Sequence, residues 1–417
     1  MISIFDLAAL LLTLSALFGW LNSRFLRMPH TIGLLVMGLL ASLALVLVDL
    51  AFPKQHLYED LTRVLDQVDF TDVVMNGMLA FLLFAGAMSL DLRMLRDRAG
   101  RVATLALIGT LISTAIVGGA FWLAADLIGR PVPIAWALVF GALISPTDPV
   151  AVLATLKNVK VPETLEVVMQ GEALFNDGIG IVLFTVLVAF AAGTGGDATS
   201  AGGIATLLLQ EAGGGLLLGV ITGYVAYRAM RAIDDFPVEV LITLALVAGT
   251  YALAQKLHFS GPLAVVAAGL LVGDRAPRDA MSEKTQGYVS ALWTLIDEVL
   301  NSVLFLLIGL EVLVLRFEAN GLVLAACAVP IVLVARLVAV STPLLAFRWG
   351  GNLSARNVPF LTWAGVRGGI SVALALSIPE SDAKPAILAA TYAVVLFTII
   401  VQGSTLGMVA RRTLRAD

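Results

Sequence analysis

Apolar, charge-poor stretches recur along the whole chain, at about 3–23, 30–50, 70–90, 101–125, 133–156, 163–191, 203–228, 237–256, 261–273, 287–315, 320–347, 356–379 and 384–410. All but the ninth are long enough to cross the roughly 30 Å hydrocarbon layer of a bilayer. In lipid every backbone donor and acceptor must find its partner within the protein, which leaves only α-helices and closed barrels. These runs are too long for barrel strands and lack their alternation of polar and apolar residues, so the fold expected is an all-α polytopic membrane protein of about 13 transmembrane helices. With 59% hydrophobic and 13% charged residues the chain lies outside the range of soluble domains.

The basic residues test that count. In strict alternation of loops, 18 of the 26 Lys and Arg fall on one side, including Arg24, Arg27 and the group Arg93, Arg96, Arg98 and Arg101. Six fall on the other side, and Arg336 and Arg367 remain within spans. By the positive-inside rule the richer side is cytoplasmic, placing the N-terminus outside and the C-terminus inside a cell (inner or plasma) membrane. The arginine group reads as an ordinary cytoplasmic loop rather than a nucleic-acid surface, and no nucleic-acid partner is expected. The boundary at Gly261-Pro262 is the one on which the parity depends. Met1 to Trp20 has no basic n-region or small-residue cleavage site and reads as a first span. The loop from Phe52 to Asp72 is expected to hold a short external surface helix, and no soluble domain is expected after Arg412. Cys327 stands alone, and the three histidines have no metal-ligand spacing.

Polar interruptions sit within this apolar frame. A carboxylate at mid-membrane costs roughly 2.5–3.5 kcal/mol even on lenient insertion scales, so acids there point to an ion or proton pathway. Ser145-Pro146-Thr147-Asp148-Pro149 breaks the fifth span, freeing backbone groups at membrane depth that are tolerated only beside a cavity or within protein. Gly365-Val366-Arg367-Gly368-Gly369 does the same in the twelfth. If spans four to six and eleven to thirteen are repeats, they are inverted in the membrane, and the two breaks cross. At such a crossing Asp148 has the sign to offset positive half-helix ends and Arg367 the negative ones.

The sixth span carries Gly171-Glu172-Ala173-Leu174-Phe175-Asn176-Asp177-Gly178. Glu172 and Asn176, four apart, share a helix face, whereas Asp177 lies about 140° round from Glu172. We expect Glu172 and Asn176 to meet a buried base, with Arg336 the best candidate, and Asp177 to face a water-filled cavity. A carboxylate without a basic partner is neutralised either by a proton or by a metal cation, and competition for one such site is the essence of exchange. Asp297 and Glu298 on the tenth span are further candidates, and Asn301 shares the Asp297 face. Glu211 and Glu239, near span starts, read as solvated or snorkelling. Gly215, Gly219 and Gly223 form a small-xxx-small face for close helix packing.

With these blocks in this order, the chain resembles the monovalent cation/proton antiporters of the NhaP and NHE branch over nearly its whole length. The resemblance implies an NhaA-like antiporter fold in which residues 1–417 are one membrane transporter unit. A core of about 70–191 and 287–410 would move against a dimerisation scaffold of about 1–50 and 203–273 in a homodimer. It implies that Asp177, helped by Asp148 and Thr147, alternates between a proton and a transported alkali cation (Na⁺ or Li⁺), in one-for-one electroneutral exchange and without a cofactor. It also implies a Glu172–Arg336 ion pair braced by Asn176. Position 173 is commonly Ser in the family, and Ala173 offers no oxygen, so K⁺ joins Na⁺ and Li⁺ as a candidate. An enzyme is not expected. Intramembrane aspartyl proteases need a Gly-x-Gly-Asp block that Phe175-Asn176-Asp177 does not supply, and a related-fold carrier of organic anions would not explain the Asn-Asp pair.

Overall fold

The structure, a computed structural model, describes residues 4–51, 70–156, 159, 161–193, 201–312, 319–346 and 357–414. Among these residues it is helical throughout, with no strand. The expected surface helix between Phe52 and Asp72 lies almost wholly outside the described residues. The helices, in chain order, are α1 (Ile4–Leu21), α2 (His30–Ala51), α3 (Phe70–Ser89), α4 (Ala99–Leu127), α5 (Ile134–Ile144), α6 (Pro149–Leu156), α7 (Glu163–Ala191) and α8 (Ala201–Met230). They continue with α9 (Phe236–Lys256), α10 (Gly261–Asp279), α11 (Glu283–Glu311), α12 (Ala319–Ala346), α13 (Val358–Trp363), α14 (Gly369–Leu376) and α15 (Lys384–Thr413). Ten helical stretches among the described residues are by themselves long and apolar enough to span a bilayer, α5 and α6 together making one of them.

Three local features bear on the sequence expectation; the first agrees with it and the other two differ. At the Gly261-Pro262 boundary the chain makes two separate helices. His258 takes a left-handed φ of 56°, and Ser260 caps α10 by accepting from the Leu263 amide at 3.4 Å. Second, α10 runs on to Asp279, past the expected end at 273, because its last turns are polar and a helix leaving the apolar layer need not stop there. Third, Glu239 is not solvated. It is fully buried in the first turn of α9, and neither carboxylate oxygen has a hydrogen-bond partner among the described residues. The stacked Phe236 and Tyr288 rings, 4.6 Å apart, tie this end of α9 to α11.

The glycine face of α8 packs on a matching small-residue face of α10. A Cβ at Gly215 would come within 2.6 Å of the Ser260 carbonyl, one at Gly219 would overlap the Ala264 carbonyl, and one at Gly223 would lie 3.0 Å from the Ala268 Cα. Ser260, Ala264 and Ala268 are themselves spaced four apart, so two small-residue stripes let the backbones approach. α7 packs against this pair and also along α5, touching α6 and α14, the half-helices that follow the two breaks.

Candidate functional site

The fifth span loses its helix over Ser145 to Asp148, where Pro146 and Pro149 remove two amide donors. The Val150 amide donates to Asp148 Oδ1 at 2.8 Å, so the acid caps α6. Arg367, completely buried, donates from Nη1 to the carbonyls of Ser145 and, at 2.9 Å, Pro146, and so caps the carboxyl end of α5. Opposite charges thus sit at the two half-helix ends whose dipoles they offset.

The second break, between α13 and α14, lies against the first. The Asp148 amide donates to the Val366 carbonyl at 2.8 Å. Gly368 is needed here because a Cβ would press on the Asp148 carboxyl group. A π-helical turn of α15, Thr398–Gln402, holds the break from behind: Thr398 Oγ1 accepts from the Arg367 amide at 3.1 Å and Gln402 Nε2 donates to the Trp363 carbonyl at 3.2 Å. The sequence reading missed these two braces. Their signal was a threonine and a glutamine within an apolar run, beside an interruption that needs partners.

From α7, Glu172 and Asn176 both point toward the breaks and meet different groups. Arg336 on α12 donates from Nη1 to Glu172 Oε1 and from Nη2 to Glu172 Oε2 at 3.1 Å, a bidentate buried pair. Gly365 leaves room for that guanidinium, since a Cβ there would lie 2.8 Å from Nε. Asn176 bonds Thr147 rather than the ion pair. Its Nδ2 donates to Thr147 Oγ1 at 3.0 Å and its Oδ1 accepts from the Thr147 amide at 3.3 Å. One turn along the helix from Glu172, it is level with the α5–α6 break and not with Arg336.

Asp177 has no hydrogen-bond or ion-pair partner among the described residues and is 7% exposed. It lines a cavity of about 150 Å³ together with Thr147, Asp148, Gln170, Asp297, Asn301 and Ser371. Asp297 therefore joins the site, held by Asn301 Nδ2 at 3.0 Å, whereas Glu298 is exposed and does not line this cavity. A second cavity of about 220 Å³ shares Gly86, Ser89 and Asp297 with the first and reaches Ser290 and Thr294. Ser89, Ser290 and Thr294 are exposed, so the two cavities form a polar way in from the ends of α3 and α11. Ala173 lies behind this cavity, on a pocket of about 10 Å³ with Thr147, Asp148, Glu172 and Arg336, room for about one water.

The carboxyl groups of Asp148 before α6, Asp177 on α7 and Asp297 on α11 thus face one cavity that Thr147 also lines, with the nearest guanidinium groups committed elsewhere. Oxygens of this kind suit a hard, weakly held cation better than a soft metal.

Residues 12–412 match the family model described as "Sodium/hydrogen exchanger, transmembrane". The chain is 42% identical over 412 residues to the Na(+)/H(+) antiporter NhaP of Pseudomonas aeruginosa, covering 98% of this chain and 96% of that protein. It is 35% identical to the Na(+)/H(+) antiporter NhaH of Halobacillus dabanensis, covering 92% of each. Its fold is similar to that of the sodium proton antiporter MjNhaP1 from Methanocaldococcus jannaschii, with a TM-score of 0.73, 21% identity and 98% of each chain covered.

Proposed function

The chain belongs to the transmembrane sodium/hydrogen exchanger family, and from that premise we infer that it is a secondary antiporter exchanging Na⁺ for H⁺ across a membrane. The observation that carries the mechanism is Asp177, buried beside a cavity with no basic partner among the described residues. Asp177 takes either a proton or the cation, never both. Asp148 and Thr147 complete the cation's shell with backbone oxygens or water.

Charge accounting favours one-for-one exchange. Glu172 is matched by Arg336, Asp148 lies at the amino end of α6, and Arg367 lies at the carboxyl end of α5. Asp297 faces the same cavity but is held by Asn301, which leaves Asp177, without a hydrogen-bond partner among the described residues, to be neutralised by its cargo, one positive charge in either direction.

The finer architecture belongs to this reading: about thirteen spans with the N-terminus outside, an NhaA-like pair of inverted repeats, and a homodimer. The core of about 70–191 and 287–410 moves against the scaffold of about 1–50 and 203–273. In that orientation the exposed Ser89 and Ser290 lie at the cytoplasmic face, beside Arg93 and Arg96, so the cavity faces inward.

Proton efflux from proteoliposomes, driven separately by Na⁺, Li⁺ and K⁺ with the membrane potential clamped or free, tests the proposal. Na⁺-driven efflux that is insensitive to the clamp is expected. Efflux driven by none of the three removes the function, and efflux driven by K⁺ alone assigns it to potassium, the reading that Ala173 favours.

A further inference from the structure

Away from the ion site, a cavity of about 470 Å³ runs between α4 and α7 on one side and α8 and α10 on the other. Its wall on α4 is the stripe Ala99, Val102, Ala103, Ala106 and Leu107, which at 1.5 Å per residue extends about 12 Å along the helix axis. The lining is apolar except at one end, where Arg96 closes the slot from the short helix Leu92–Asp97 that precedes α4. Leu107 and Leu216, 49% and 38% exposed, border the side of the slot that faces away from the protein. Arg96 is exposed, and its side chain has no hydrogen-bond or ion-pair partner among the described residues.

We propose that this slot holds one acyl chain of an anionic phospholipid from the cytoplasmic leaflet, with the lipid phosphate on Arg96. Its shape is that of an alkyl chain lying along the membrane normal, and its open side borders the α4 and α8 surfaces that face the bilayer. The guanidinium at its mouth can pair bidentately with a phosphate oxygen pair. Water gains nothing in a slot with no polar wall, and a peptide would bring backbone donors that the slot cannot satisfy. The occupant lies beside the direct contact of α7, which carries Asp177, with α10, where Gly178 packs on Leu263. Any effect on exchange rests on the transport reading above, whereas the binding does not.

Native mass spectrometry of the purified protein, supplemented with phosphatidylglycerol or phosphatidylcholine of the same chains, tests this directly. One tightly retained lipid per chain is expected, with an anionic preference of about fivefold, the scale set by one basic residue near a membrane surface. Arg96→Gln should abolish the preference and still retain lipid. Ala103→Trp should remove the retained lipid, and Leu216→Trp, at the exposed rim, gives a second obstruction that leaves the interior unchanged. Equal retention of the two lipids by the parent, a preference that survives Arg96→Gln, or undiminished retention in both tryptophan variants would each overturn the proposal.

Discussion

The Asp148 amide donates a 2.8 Å hydrogen bond to the carbonyl of Val366, joining the two interrupted spans through their main chains at the place where each loses its helix. The proposed ion site surrounds that junction, so a change at either break is expected to be read at the other.

Asp177→Asn should abolish cation-driven proton flux in proteoliposomes while leaving expression and thermal stability close to the parent. Asparagine fills the same space, and the side chain has no partner among the described residues to lose. Exchange retained above the background of empty liposomes would sink the proposed mechanism.

Proton and cation competing at one carboxylate give a definite pH signature. As pH falls, the apparent KM for Na⁺ should rise while the maximal rate at saturating Na⁺ changes far less. A KM that stays flat while the maximal rate collapses would mean that protonation acts elsewhere.

Glu172→Gln or Arg336→Ala should lower stability by roughly 3–5 kcal/mol, because removing one member of a buried pair strands the other charge. Thermal melts in detergent would read this as a large fall in Tm. Replacing both residues with leucine should recover much of the loss. A single variant as stable as the parent would contradict the pairing.

Gly368→Ala places a methyl group 2.7 Å from the Asp148 Cβ and against its carboxyl group. The cap on α6 and the cation shell should both shift, raising the KM for Na⁺ more than it lowers Tm. An unchanged KM would show that Asp148 does not contact the cation.

Asn176→Ala removes both bonds to Thr147 and leaves a buried hydroxyl and amide short of partners, at about 1–3 kcal/mol each. Hydrogen exchange at the Thr147 amide should accelerate relative to its neighbours. Equal protection in parent and variant would locate its partner elsewhere.

Much of this was legible in the sequence, because each legible feature rests on a local rule. Two prolines around Asp148, and three glycines around Arg367, interrupt a helix wherever they fall. The four-residue spacing of Glu172 and Asn176 fixes a shared face. What periodicity cannot give is the neighbour opposite that face. Asn176 was expected at the ion pair and bonds Thr147 instead, since the height of the α5–α6 break relative to α7 is a tertiary quantity. Asp297 joined the cavity and Glu298 did not for the same reason: one residue turns a helix by about 100°. Glu239 looked snorkelled from its place at a span start, and only the tertiary packing around α9 buries it.

The seam between α8 and α10 has a mechanical consequence. Gly215, Gly219 and Gly223 meet Ser260, Ala264 and Ala268 with no long side chains between them, so the contact has no rotamers with which to absorb a displacement. Two helices locked backbone to backbone in this way behave as a single stiff beam. Adding one methyl group at Gly219 would pry the beam apart.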